Sequence, residues 1–108
     1  MQALAIETLP RLAQGSRGES VKHLQRLLNA YSEKIQNSGN VYPILDVDGI
    51  FGPRTKNAVE GFQREYRQVR NLPIDPRDPN YFPVDGIVGT LTWRALGDFA
   101  YRSCNLTA

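Results

Sequence analysis

The sequence predicts an all-α fold, a small three-helix bundle with an internal helix-loop-turn repeat and long loops. Three observations predict it. Apolar residues recur at helical spacing in three separate stretches, no stretch alternates convincingly as a sheet strand would, and one turn-and-helix segment is written twice. Val47-Asp-Gly-Ile-Phe-Gly-Pro-Arg-Thr-Lys-Asn-Ala-Val59 returns as Val84-Asp-Gly-Ile-Val-Gly-Thr-Leu-Thr-Trp-Arg-Ala-Leu96, with Val, Asp, Gly, Ile, Gly, Thr and Ala in matching places. A fainter echo extends the pattern backwards, Val21-Lys-His-Leu-Gln-Arg26 matching Val59-Glu-Gly-Phe-Gln-Arg64, so that one helix plus its approach is the repeated unit.

Taken in order, residues 1–14 read as an N-terminal lead-in, 15–102 as the folded domain and 103–108 as a C-terminal tail. Gly15 to Ser20 form a loop that delivers the first helix, with Glu19 and Ser20 near its N-terminus, where acceptors are favoured. Val21, Leu24, Leu27, Leu28 and Tyr31 mark one buried face of a helix running to about Ser32. His23 lies off that stripe and reads as a solvent-facing histidine. Ser38-Gly-Asn40 breaks the chain, and Val41 to Val47, with Pro43 inside it, reads as extended coil.

Each copy of the repeated segment then reads as a tight turn feeding a helix. Asp48 and Asp85 can bond their own backbone two residues on, and Gly49 and Gly86 suit the positive φ that follows. Gly52 and Gly89 stand at the helix entrances. Pro53 has its φ preset for the first helical position in one copy, and Thr90 is expected to cap in the other. Helix two presents Thr55, Ala58, Val59, Phe62, Tyr66 and Val69 inward, with Lys56, Arg64, Arg67 and Arg70 on the opposite face. Asn71 to Pro83, rich in proline and aspartate, is an irregular loop. Helix three follows from about Thr90, with Leu91, Ala95, Leu96 and Phe99 or Ala100 inside, and ends near Arg102.

The composition narrows the function. At 108 residues one domain fits, with a modest core. Thirteen basic against eleven acidic residues give a formal charge of +2, too balanced for a protein that lives on nucleic acid by phosphate neutralisation. The chain has one cysteine, Cys104, so no intrachain disulfide is expected. Met1 to Gln14 has no basic start followed by a long apolar run, and no stretch approaches the ~20 apolar residues of a membrane span. Neither a signal peptide nor membrane insertion is expected, and a place in the cell envelope or outside the cell would require an exported whole.

Several chemistries are excluded on residue types. A zinc hydrolase needs at least two His or Cys ligands besides a carboxylate, whereas His23 and Cys104 stand far apart in sequence. A serine or cysteine nucleophile wants a paired base, which His23 does not supply. Asp46-Val-Asp48-Gly49 has the middle of a calcium loop, but Ile44 and Thr55 occupy the end positions where ligands are needed. No metal, cofactor or catalytic residue is therefore expected. What remains is binding: two helix N-termini at Gly52 and Gly89 present N–H groups suited to a carboxylate, with Arg54, Thr55, Thr92 and Arg94 close in sequence.

The combination of Gly15, Gly18, Val21, Leu24-Gln25 and Leu28, then Asp48-Gly49, Phe51-Gly52, Thr55, Ala58-Val59 and Phe62-Gln63, then Asp85-Gly86-Ile87-Val88-Gly89, Thr92-Trp93 and Leu96 resembles the three-helix peptidoglycan-binding domain family over nearly the whole chain after Gln14. The resemblance implies a monomeric, non-catalytic module attached to or partnered with a cell-wall hydrolase such as an amidase, carboxypeptidase, muramidase or phage endolysin. Its ligand would be the peptidoglycan stem peptide or glycan, held in a shallow groove between helices. The expected ligand-binding set is Arg54, Thr55, Thr92 and Arg94, with Trp93 or Tyr66 as an apolar wall. The competing expectation is that Thr55 and Thr92 cap or pack and that Trp93 is core. The connections Glu33 to Leu45 and Gln68 to Pro83 look longer than the family's usual joints. A related domain opens the propeptide of matrix metalloproteinases, so the alternative function is a protein-docking domain that keeps the fold without the wall ligand.

Overall fold

The computed structural model describes residues 9–36 and 44–97. Among these residues all regular structure is helical: α1 spans Glu19–Gln36, α2 spans Pro53–Val69 and α3 occupies 90–97. The only extended pairing among them is two isolated antiparallel bridges, Leu12 with Val88 and Arg17 with Ile50. The all-α expectation holds. The expectations for Val41 to Pro43, for Phe99, Ala100 and Arg102, and for Cys104 and the tail lie outside the described residues.

The first helix forms because Val21, Leu24 and Leu28 fall on one stripe and are all buried, with Glu19 in its first turn, where an acid favours the helix dipole. It continues to Gln36, past the expected end at Ser32. The second starts at Pro53 as expected, with Gly52 as N-cap in extended backbone and the Lys56 N–H bonded to the Gly52 carbonyl at 3.0 Å. The third uses the same device, Trp93 N–H donating to the Gly89 carbonyl at 2.9 Å. Gly89 therefore takes the cap position and Thr90 is the first helical residue, which corrects the expectation that Thr90 caps.

The second helix ends on a motif that the sequence reading did not identify. Arg70 closes the helix, Asn71 takes the left-handed conformation at φ 53°, and the chain reverses. The Asn71 N–H donates to the Gln68 carbonyl at 3.2 Å and the Leu72 N–H to the Arg67 carbonyl at 2.9 Å, the paired bonds of a Schellman turn. Leu72 is thereby swung against the core. Val69, expected inside, is 75% exposed, because the turn brings Leu72 rather than the last helical residue inward. Leu91, also expected inside, is 46% exposed, because α3 buries the stripe of Thr92, Trp93, Ala95 and Leu96 and leaves Leu91 at its edge.

The core joins all parts of the described chain: Leu12, Val21, Leu24, Leu28, Leu45, Phe51, Val59, Phe62, Phe82, Val88, Trp93, Ala95 and Leu96. An aromatic chain runs through it, with Tyr31 edge-on to Phe62 at 4.9 Å, Phe62 beside Tyr66 at 5.7 Å and Tyr66 beside Phe82 at 5.1 Å. The segment before α1 is part of this packing. Leu12 and Val88 exchange two backbone hydrogen bonds, Gly15 N–H donates to the Phe51 carbonyl, and Phe51 N–H donates to the Ser16 carbonyl. One strip of chain is thus tied to both glycine turns.

Candidate functional site

Two buried glutamines organise the two turns. Gln25 on α1 and Gln63 on α2 are each almost fully buried. The Gln25 amide nitrogen donates to Asp48 Oδ1 at 3.1 Å, the Ile50 carbonyl at 3.1 Å and Thr55 Oγ1 at 3.2 Å, while its oxygen accepts from Gly49 N–H at 3.0 Å. Gln63 does the same in the second copy. Its nitrogen donates to Asp85 Oδ1 at 3.2 Å, the Ile87 carbonyl at 3.0 Å and Thr92 Oγ1 at 3.0 Å, and its oxygen accepts from Asp85 and Gly86 N–H, both at 3.0 Å. A primary amide suits this place because it carries a two-hydrogen donor beside a carbonyl acceptor without charge, and each turn presents both kinds of partner.

The turns have the expected local chemistry. Ile50 N–H donates to Asp48 Oδ1 and Ile87 N–H to Asp85 Oδ1, both at 3.0 Å, and Gly49 and Gly86 sit at φ 76° and 74°. The Ile50 N–H first, and the Gln25 amide second, hold the Asp48 carboxyl below its ordinary range. Upstream of each turn, a residue one helical turn after the glutamine fastens the approach. Asn29 brackets Leu45 through both of its backbone groups at 2.9 and 2.7 Å, and Arg67 Nη1 donates to the Phe82 carbonyl at 3.3 Å.

Against this frame lie two open clefts. The first, of about 430 Å³, lies before the entrance of α2 and has Gln25, Leu45, Asp46, Asp48, Arg54 and Thr55 among its walls. The second, of about 620 Å³, lies between the end of α2, the loop that follows it and α3; Tyr66, Leu72, Tyr81, Phe82, Leu91 and Arg94 are among its walls. The loop is fixed by two successive Asp-Pro turns. Asp75 accepts from Arg77 N–H on its side chain and from Asp78 N–H on its carbonyl, and Asp78 likewise accepts from Asn80 and Tyr81. Arg77 closes over Asp75 with two side-chain bonds, and these together with the Arg77 N–H hold the Asp75 carboxyl low.

The expected ligand-binding residues are not brought to one place. Arg54 and Thr55 line the first cleft, and Tyr66 and Arg94 the second. Thr55 and Thr92 are buried and their hydroxyl oxygens are occupied by the glutamine amides. Trp93 is 2% exposed, donates Nε1–H to the Pro10 carbonyl at 2.8 Å and carries His23 stacked on it at 5.9 Å. The geometry of these three supports the packing role that competed with ligand contact. His23 is exposed, as expected, but has a wall of tryptophan under it. The sequence reading gave no role to Gln25 and Gln63 or to Tyr81 and Phe82. The glutamines had a signal, since both occupy matching places in the helical echo, and so had Phe82, which stands three residues before Asp85 as Leu45 stands three before Asp48; Tyr81 sits in the irregular loop.

Residues 17–69 match the family described as "Putative peptidoglycan binding domain". The chain is 33% identical over 100 residues to the type VI secretion system spike protein VgrG3 of Vibrio cholerae, a match spanning 91% of this chain and 9% of that protein. It is 38% identical over 88 residues to an uncharacterized protein in the bpoA1 3' region of Kitasatospora aureofaciens, spanning 81% of this chain and 55% of that protein. The chain thus covers about a tenth of one relative and about half of the other.

Proposed function

We infer, on the premise that residues 17–69 belong to the peptidoglycan-binding domain family, that this chain is a non-catalytic module that binds bacterial cell-wall peptidoglycan. One observation carries the reading. The matched span runs from the bridge at Arg17 through α1 and the first turn to the last residue of α2, which is the unit that Gln25 and Asn29 fasten together. The similarity to a small part of a large spike protein supports a module carried by a longer protein. Any cell-wall hydrolase would be such a carrier or a partner, and the module would act as a monomer.

Sedimentation with purified insoluble peptidoglycan, titrated with salt, tests this. The protein is expected to sediment with the wall and to stay bound at moderate salt, where exposed charge pairs are largely screened. Release at moderate salt would leave only a charge effect, and no sedimentation at all would favour the protein-docking alternative. Incubation with the wall is expected to release no soluble fragments.

A further inference from the structure

Lys56, Arg64, Arg67 and Arg70 follow one another along α2 and its C-cap, and the wall-binding reading uses none of them. The structure divides them. Lys56 holds the Glu60 carboxylate at 2.8 Å, and the Arg70 guanidinium lies 5.6 Å from the Tyr66 ring centre. Arg64 and Arg67, three positions apart and therefore neighbours on the helix surface, instead line a third cleft, of about 310 Å³. The Schellman turn builds it, because the reversal after α2 brings Leu72 and Ile74 to the same opening, and Gln68 and Asn71 complete the walls.

Among the described residues no carboxylate lines this cleft. Glu60 is taken by Lys56, Asp75 is held by two side-chain bonds from Arg77, and Glu65 is not among the walls. Arg67 is set in place by its bond from Nη1 to the Phe82 carbonyl at 3.3 Å, which uses only part of its donor fork. The two oxygens of a carboxylate are met by a single guanidinium. Two guanidiniums a helical turn apart, backed by the carboxamides of Gln68 and Asn71, match a group with more acceptor oxygens, and phosphate is the common one. Leu72, half-buried, and Ile74, 73% exposed, add aliphatic contact beside the charges, which fits a phosphate joined to a carbon chain. Arg64 and Gln68 are exposed, and Ile74 is the one exposed large apolar side chain among the walls, too little apolar surface to enter a bilayer.

We propose that the cleft between the C-terminal half of α2 and the returning 72–74 segment is a separate binding site for a soluble phosphodiester-linked polymer, with a phosphate held by Arg64 and Arg67 and the carbon chain against Leu72 and Ile74. The site goes beyond the wall-binding reading and shares no residue with the set expected to contact a wall ligand.

Titration of labelled protein with poly(glycerol phosphate) tests it, with inorganic phosphate, succinate and phosphatidylglycerol vesicles as the comparison probes. The polymer is expected to shift the amides of 64, 67, 68, 71, 72 and 74, inorganic phosphate to shift the same amides more weakly, and succinate at equal ionic strength to leave them in place. Arg64→Ala is expected to weaken polymer binding about tenfold, the loss of one charge-assisted hydrogen bond. Arg26→Ala, which removes an exposed charge of the same sign from α1, is expected to leave it nearly unchanged. No shift with the polymer, or an equal loss in both alanine variants, would overturn the site. So would an equal response to succinate, which would remove the preference for phosphate, or binding to the vesicles with none to the soluble polymer, which would assign a membrane surface in its place. The probes are compared on unmodified protein, so the result does not depend on a variant folding. They are also soluble or vesicular and contain no wall, so failed sedimentation with peptidoglycan leaves this site standing and failure here leaves wall binding standing.

Discussion

Leu12 and Val88 lie 76 positions apart in the chain and exchange both of their backbone hydrogen bonds, at 3.0 Å from Leu12 N–H and 2.8 Å from Val88 N–H. Leu12 is buried, and two residues before it the Pro10 carbonyl accepts from the Trp93 ring. The segment ahead of the first helix therefore closes the structure against the second turn and the start of α3.

Leu12→Ala is expected to destabilise the protein by about 2–4 kcal/mol, as buried leucine truncations do. The protein's single tryptophan reports on the same corner. Its emission should move to the red in the variant if the segment loosens, and an unchanged melting midpoint would show that the segment merely lies on the surface.

Gln63→Ala would leave the Asp85 and Gly86 N–H groups without the oxygen that receives them, so a loss of roughly 2–4 kcal/mol is expected, with a similar loss for Gln25→Ala. Gln63→Glu is more specific. A carboxylate there would face Asp85 Oδ1 and the Ile87 carbonyl, which need a donor. Burial and these acceptors would raise the pKa of the introduced acid above its unfolded value, so the variant should be more stable relative to the parent at pH 5 than at pH 7. A deficit independent of pH in denaturant melts would contradict this arrangement.

Gly49→Val and Gly86→Val are each expected to cost ~1 kcal/mol or more, because a β-branched residue is poorly accommodated at positive φ. Space is short at both. A Cβ on Gly49 would stand 3.2 Å from the Gly18 carbonyl oxygen, and one on Gly86 2.9 Å from Lys56 Cγ. Thermal melts followed by circular dichroism decide it, and full parental stability in both variants would refute the turn geometry.

Asp48 gives the acid side of the stability profile a defined sign. Its carboxyl is held low in the folded state by the Ile50 N–H and then by Gln25, so the charged form contributes stability above the unfolded pKa of about 4. That contribution is lost as pH falls through the depressed folded value. Asp48→Asn keeps an oxygen for the Ile50 N–H but cannot ionise, and its stability should vary less with pH below about 4 than the parent's. Parallel curves for the two proteins would show that this group does not contribute.

Asn71→Val should shorten the lifetime of the α2 terminus, since a β-branched residue resists the left-handed conformation of the Schellman turn. Faster amide exchange at 70–72 is the expected result, and unchanged exchange there would argue that the turn does not depend on Asn71. Leu72 and the second cleft would loosen with it.

The sequence by itself determined the helices and the chemistry of the turns, because these depend on neighbours a few residues away. Pro53 follows a glycine at a helix start, Asp48 and Asp85 reach N–H groups two positions on, and Gly49 and Gly86 accept a φ that side chains resist. It also held the glutamine pair in its echo, without showing that both amides point inward to the turns. The tertiary structure decided what depends on distant partners. It set Thr92 under Gln63, closed Trp93 beneath His23 and Pro10, turned Leu91 out towards a cleft, and separated Arg54 from Arg94. The physical reason is that helical periodicity fixes which residues share a face but not what that face meets. For α3 the partners are a strip of chain from before α1 and a loop wound by two Asp-Pro turns, and neither has a periodic signature that could have announced it.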